Sequence, residues 1–283
     1  MEPVLTSLPQ LDALRSDPTN NTTWTRDEGS NLDVLTTTTT GNSDTTNLAL
    51  CHLVSISPFT YLGVDVANQG TFEDAAGTAL AVHHLNTGDG RIVPQLEGLP
   101  DRCNIRFTIE FADDRSTPSV AVDHVVNVTS RPPGGVEPPP CAFVGSYRSA
   151  ISIATSILTG MWNYPQVSGI SLAADLDDKL QYPLFARTTP SDDGYAVPIL
   201  QYFCDVLGVR HLAVVNINDA YGNSFVKGLR SGAERYYPDL AIHQAPVDGS
   251  LPSIQTALAG IKETQFRYIL ALVFGTGTYD LVM

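Results

Sequence analysis

From residue 48 onward the chain alternates short apolar runs with stretches of helical periodicity. LALCHLVSIS (48–57) and the alternating NIRFTIEF (104–111) predict strands. TFEDAAGTALAVHHLNT (71–87) predicts a helix with Gly88 at its exit. TPSVAVDHVVNVTS predicts a second helix, starting near Thr117 and Pro118. RPPGGVEPPP (131–140) reads as a surface loop. Cys141 to Ser171 then reads strand, tight turn, amphipathic helix, strand. CAFVG is a short apolar run ending in Gly145, and Ile151, Ala154, Leu158 and Met161 fall on one helical face. LFARTTP (184–190) is a further extended segment. The rhythm then repeats: SDDGYAVPILQYFCDVLG as a helix bent at Pro198, RHLAVVNIN as a strand, 221–236 as a helix, LAIHQAPV as a strand, SIQTALAGIKET as a helix and RYILALVFG as a buried strand.

Strands alternating with helices imply an α/β protein, with parallel sheets and helices on both faces. A break near 187–192 separates two such runs. Residues 1–46 are polar, with LTTTTTGNSDTT as a low-complexity tract, and are expected to be disordered. The expected division is a tail at 1–46, a first lobe at 47–190 and a second lobe at 191–283. The second lobe has only three predicted strands, so it is expected to be incomplete and the chain a fragment.

The formal net charge of -14, with no basic run, excludes nucleic acid and an anionic membrane surface as expected partners. No apolar run reaches bilayer-spanning length, and the N-terminus lacks the basic head and apolar core of a secretory signal. The four cysteines form no CxxC pair, so neither a structural zinc site nor a thioredoxin-like motif is expected. Cys51 and Cys204 lie in apolar segments and read as buried thiols. Cys103 and Cys141 each precede a strand, and a Cys103–Cys141 disulfide fits that placement. Sequons stand at Asn20, Asn21 and Asn127.

Candidate chemistry centres on the turn Gly145–Ser149. It joins the carboxyl end of a strand to a helix N-terminus, where unpaired N–H groups and the helix dipole suit a carboxylate. A plain helix cap is the alternative for Ser149, and likewise for Asp192 ahead of the following helix. Arg148 is either a solvated cation or a bidentate carboxylate clamp. An enzyme is not expected. The nearest approach to one is Gly169-Ile170-Ser171-Leu172-Ala173, which resembles a serine hydrolase elbow without its last glycine; His211 and His243 have no evident orienting acid. Gly275-Thr276-Gly277 lacks the third glycine of a dinucleotide loop, and no cofactor or metal is expected.

Five segments in order resemble the receptor family ligand-binding region: ALAVHHLN, FADDRSTPSVAV, FVGSYRSAISIATSILTGMWNYPQVS, LDDKLQYPLFARTTPSD and NDAYGNSFVKGL. The texture is most similar to the extracellular regions of class C G-protein-coupled receptors, metabotropic glutamate and type B γ-aminobutyric-acid receptors among them. The resemblance implies a bilobed type I periplasmic-binding-protein-like (Venus flytrap) fold. It also implies a receptor that senses a small, polar, amino-acid-like or carboxylate ligand by cleft closure. By family position Ser149 would bind the ligand carboxylate, Asp192 would receive its ammonium, and Tyr221 would cover it from the second lobe. The family's flanking serines are Arg148 and Ala150 here, and its Ser-Ala-Thr turn reads Ile170-Ser171-Leu172, which leaves Ser171 as the candidate contact. Further implications are a site on the extracellular side of a membrane, reached through segments outside this chain, glycosylation of Asn127, and a homo- or heterodimer through the first lobe. A secreted or periplasmic solute-binding protein and the ligand-binding region of an enzyme-linked receptor share the fold and stand as alternatives.

Overall fold

A computed structural model describes residues 34–37, 49–61, 64–67, 69–133 and 137–273. The remaining stretches of the polar N-terminal tract, and Gly275-Thr276-Gly277, lie outside the described residues. The chain forms two compact units: one up to Tyr147 together with Ala154–Val167, the other Arg148–Ile153 together with Ser168 onward. By this grouping the boundaries fall at Tyr147/Arg148, Ile153/Ala154 and Val167/Ser168. One reason is that the 3-10 turn Ala174–Asp177 is bonded to a later helix, Ala174 N–H donating to Ser224 Oγ at 2.9 Å.

In the first unit the strands are β1 (Val34–Thr37), β2 (Ala49–Ser57), β3 (Thr60–Tyr61), β4 (Val64–Ala67), β5 (Ile105–Asp113), β6 (Ala142–Gly145) and β7 (Gln166–Ser168). The helices are α1 (Gln69–Thr87), the single turn α2 (Leu99–Arg102), α3 (Pro118–Thr129) and the part from Ala154 of α4, which runs Ser149–Met161. Within the first unit the strands of the main sheet run in the order β1-β5-β2-β6-β7. All neighbours are parallel except β1, which pairs antiparallel with β5 from within the polar tract. β2 is central and its Val54 and Ile56 are fully buried. Alternate residues of β5 (Phe107, Ile109, Phe111) pack with Phe72, Ala75, Ala79 and Val82 of α1, as the two-residue side-chain period of a strand requires. α3 packs on the same strand, with Ala121, His124, Val125 and Val128 buried. The short β3–β4 hairpin was not expected. It is anchored by Asp113, which accepts from the N–H groups of Phe59 (2.9 Å) and Thr60 (3.2 Å) and from the Thr60 hydroxyl (2.6 Å).

The cysteines correct the expected pairing. Cys51 and Cys141 form the disulfide, with Cα atoms 5.3 Å apart, and Cys103 is free. The strand order explains why. Cys103 precedes β5 and Cys141 precedes β6, but β2 lies between those strands, so the two are two strand spacings apart, roughly 10 Å. Cys141 instead enters beside β2, its N–H donating to His52 O at 2.8 Å. Cys51 is therefore not the buried thiol its apolar context suggests; Cys204 is buried and free.

Next to this bond the first unit buries a charged network. Arg131 donates to both oxygens of Glu110, at 2.6 and 3.0 Å, and His52 Nε2 lies 3.1 Å from Glu110 Oε2. The other His52 nitrogen is 2.8 Å from Thr108 Oγ1, and Arg131 also pairs with Glu137 at 3.1 Å. Burial pushes the Glu110 carboxyl up, but the hydrogen bonds and charges of His52 and Arg131 outweigh it and hold the group at about 2.

The second unit contains β8 (Phe185–Arg187), α5 (Asp193–Gln201), β9 (His211–Ile217), α6 (Ala220–Tyr236), β10 (Ala241–Val247), α7 (Leu251–Thr264) and β11, which spans Tyr268–Leu272. The order β10-β9-β11 is parallel throughout. Here the two-faced arrangement is explicit in β9. Leu212 and Val214 pack with Ala196 and Leu200 of α5 and Phe225 and Leu229 of α6, whereas Ala213 and Val215 pack with Ile254 and Ile261 of α7. α5 and α6 approach closely because Gly228 and Gly232 face Asp193, Ala196 and Leu200 without a side chain. After Pro198, α5 gives way to a π-type segment at Tyr202–Val206, the expected disturbance around an internal proline. Among the described residues no helix is long and apolar enough to cross a membrane.

Candidate ligand-binding site

The turn after β6 is built around two constraints. Gly145 has φ 104°, and a side chain there would run into the carbonyl of Ile56. Beside it Ser146 is buried and donates to Asp114 Oδ2 at 2.5 Å, while Asp114 Oδ1 accepts from Ser116 N–H at 2.8 Å. Sequence reading had placed Asp114 in a family-like loop without assigning it this role. These residues belong to the first unit. Arg148 and Ser149 begin the second, where Arg148 is half-buried and its carbonyl accepts from the N–H groups of Ile151 and Ser152, both at 3.0 Å.

Ser149 does not cap its own helix. Its Oγ accepts from the N–H groups of Leu172 and Ala173, both at 3.1 Å, so it fastens the strap Ser171–Ala174 to the start of α4. The rest of the strap is held as fully. Ser171 N–H donates to Ser168 Oγ at 3.0 Å, and the Leu172 carbonyl accepts from Asp192 N–H at 2.9 Å. The carbonyls of Ser171 and Ala173 accept from Arg187, at 3.3 and 2.9 Å, and Arg187 also pairs with Asp177. Ala174 N–H goes to Ser224 Oγ. Buried backbone groups need partners of this kind; Ser168 supplies one from three residues back, and Ser149, Arg187, Asp192 and Ser224 supply the rest from further away in the chain. The Ser149 oxygen accepts twice and keeps one O–H to donate.

Ser171 is fully buried and its hydroxyl lies 2.8 Å from that of Ser152. His211 and His243, the bases a serine hydrolase would require, sit on β9 and β10 against the ring of Phe266.

Asp192 is the least satisfied group at the site. It is fully buried, its backbone is already helical (φ -60°, ψ -28°), and its side chain makes no cap hydrogen bond. Among the described residues neither of its carboxylate oxygens has a hydrogen-bond partner, nor do the hydroxyls of Thr189 and Ser191 beside it. Burial, followed by the charge of Asp193, raises its pKa to about 6. Ser224 and the amides of Ala174 and Asp193 offset part of that rise without closing a hydrogen bond. The alternative role as helix cap is thus not the one it plays. Tyr221, one helical turn before Ser224, is half-buried and meets Phe225 edge to face at 6.0 Å. The N-terminus of α6 is capped by Asp219, which accepts from Gly222 N–H at 2.9 Å.

The structure thus gathers Ser149, Ser171 and Asp192 around one strap, with Tyr221 on the helix that carries Ser224. Asn127 is exposed on α3 of the first unit. Sequence reading missed Ser152, Ser168, Arg187 and Ser224. Their partners lie up to 50 positions away, and no local motif marks such contacts.

The chain is thus an α/β protein of alternating parallel strands and helices, with this strap following β7. A family model, the receptor family ligand binding region, matches residues 98–274, and the chain belongs to that family. The extracellular calcium-sensing receptor of Sus scrofa is 29% identical to it over 142 residues, 47% of this chain and 12% of that receptor. Metabotropic glutamate receptor 6 of Rattus norvegicus is 32% identical over 104 residues, 34% of this chain and 12% of that receptor. The human G-protein coupled receptor family C group 6 member A is 32% identical over 89 residues, 30% of this chain and 10% of that protein. The matched region spans about an eighth of these relatives' length.

Proposed function

We propose that the chain is the extracellular ligand-binding region of a family C G-protein-coupled receptor, and that it senses a small ligand bearing both an amine and a carboxylate. The observation that carries this reading is Asp192, a buried carboxylate without a hydrogen-bond partner among the described residues. A buried charge is costly unless paired, and a ligand ammonium is a partner of the right sign and size. Ser149 supports the other end of the ligand, with one O–H left to donate at the N-terminus of α4, where a carboxylate is favoured. Tyr221 offers an aromatic face to the ammonium. The relatives named above are receptors, and a Cys51–Cys141 disulfide suits an oxidising, extracellular setting. Binding free energy that favours a closed arrangement of the units is the proposed signal, with no chemical step.

Calorimetry of the chain against amino acids, simple amines and organic acids tests this. Ser149→Ala should weaken ligands that carry a carboxylate, and Asp192→Ala only those that carry an amine. If both variants keep wild-type affinity for whichever ligand binds, the assignment of these two residues is wrong.

A further inference from the structure

The Glu110 network shows what this chain does with a buried carboxylate it intends to keep charged: three side-chain hydrogen bonds from two partners surround it. Asp192 is buried as well and receives none. It also stands where three elements are fastened together. Its own N–H holds the Leu172 carbonyl of the strap, its carbonyl accepts from the first turn of α5, and Ser224 of α6 binds the strap amide of Ala174. A change of charge at this carboxyl is therefore felt by strap, α5 and α6 at once.

We infer that Asp192 is a proton switch built into the second unit: with the proton bound, strap, α5 and α6 hold together at full strength, and loss of the proton loosens their junction. The protonated carboxyl is neutral and has an O–H to donate, and the Ser224 hydroxyl oxygen is near enough to act on it. The carboxylate has no cation among the causes that act on it, and the Ser224 hydroxyl and the amides of Ala174 and Asp193 make up only part of the water it gave up. Of the charged groups on the neighbouring elements, Asp193 is the one that favours the proton. Asp193 follows on α5, its carboxylate lying against Gly228 of α6. Asp175 and Asp177 are on the strap's 3-10 turn. Arg187 on β8 is committed to Asp177 and to two carbonyls. Lys227 and Arg230 of α6 are exposed, and Arg148 at the start of α4 is half-buried. The raised pKa of about 6 places the transition within the range of ordinary biological compartments.

The test needs no ligand, so its outcome is separate from that of the receptor reading. Thermal unfolding of the full chain is followed from about pH 4 to about pH 8 for wild type and Asp192→Asn, the asparagine standing in for the neutral acid. A group whose folded pKa is raised contributes stability that is complete below its unfolded value and is lost as pH rises through its folded one. The two proteins should therefore melt together near the acid end, and the variant should melt higher by roughly 3–8 °C at the alkaline end. Parallel curves would overturn the inference. Should the variant fail to fold, the carbon-13 shift of the Asp192 carboxyl in wild type decides: a midpoint near 6 supports the switch, and one below about 4 overturns it.

Discussion

The two units each bury a carboxylate beside a sheet and treat it in opposite ways. Glu110 in the first is gripped by Arg131 and His52 and driven down to about 2; Asp192 in the second is left without a partner and driven up to about 6. Burial acts in the same direction on both, so the difference lies in what surrounds them. A satisfied buried charge stiffens the unit that holds it. An unsatisfied one stores unfavourable free energy until a proton or a cation arrives, which is the behaviour of a site rather than of a scaffold.

The sharpest way to break this contrast is to remove the partner of Glu110. Arg131→Ala should destabilise the chain by about 3–5 kcal/mol in denaturant unfolding near neutral pH, because it strands a buried charge. Asp192→Asn should change stability in the other direction. Equal, small effects of the two would mean that burial and pairing at these sites are not as described. Acid provides a second comparison. Glu110 is depressed, so its contribution of about 3 kcal/mol is present above pH 4.5 and is lost as pH falls through about 2. Arg131→Ala should flatten that acid limb in a urea titration, whereas Asp192→Asn should leave it as it is.

Much of this fold was legible in the order of apolar runs, because each predicted strand and helix from 48 to 272 has a counterpart. β9 shows why: every residue from Leu212 to Asn216 is buried, and a short continuous apolar run is what a strand covered on both faces must have. The site was legible only by position. Ser191-Asp192 before a helical run carries the usual signature of a cap, but the chain is already helical at Asp192 and its carboxylate closes no cap hydrogen bond. The disulfide was misread for a different reason. Which cysteines are neighbours depends on strand order, and sequence spacing says nothing of whether β2 lies between β5 and β6. The β3–β4 hairpin escaped because its stability comes from Asp113, more than 50 positions away, and not from its own four- and two-residue strands.

Smaller effects sharpen the contrast within the second unit. Ser149→Ala removes the acceptor of two strap amides and should cost about 1–3 kcal/mol even without ligand, readable as a lower urea midpoint. Its effect on binding must be judged against that loss. Asp193→Asn should shift the Asp192 midpoint down by only a few tenths of a pH unit in the carbon-13 titration, since burial outranks the neighbouring charge. A larger shift would make Asp193 the dominant cause.

The bond between Cys51 and Cys141 has a practical reading. It closes a covalent ring across a sequence separation of 90, and that ring contains α1, α2, α3 and the stretch that leads from Arg131 to β6. A protease that cuts once anywhere inside it produces two peptides that still travel as one molecule. They would run at the intact mass on a gel and fall apart only when reductant is added, so nicked material would pass for whole protein under non-reducing conditions.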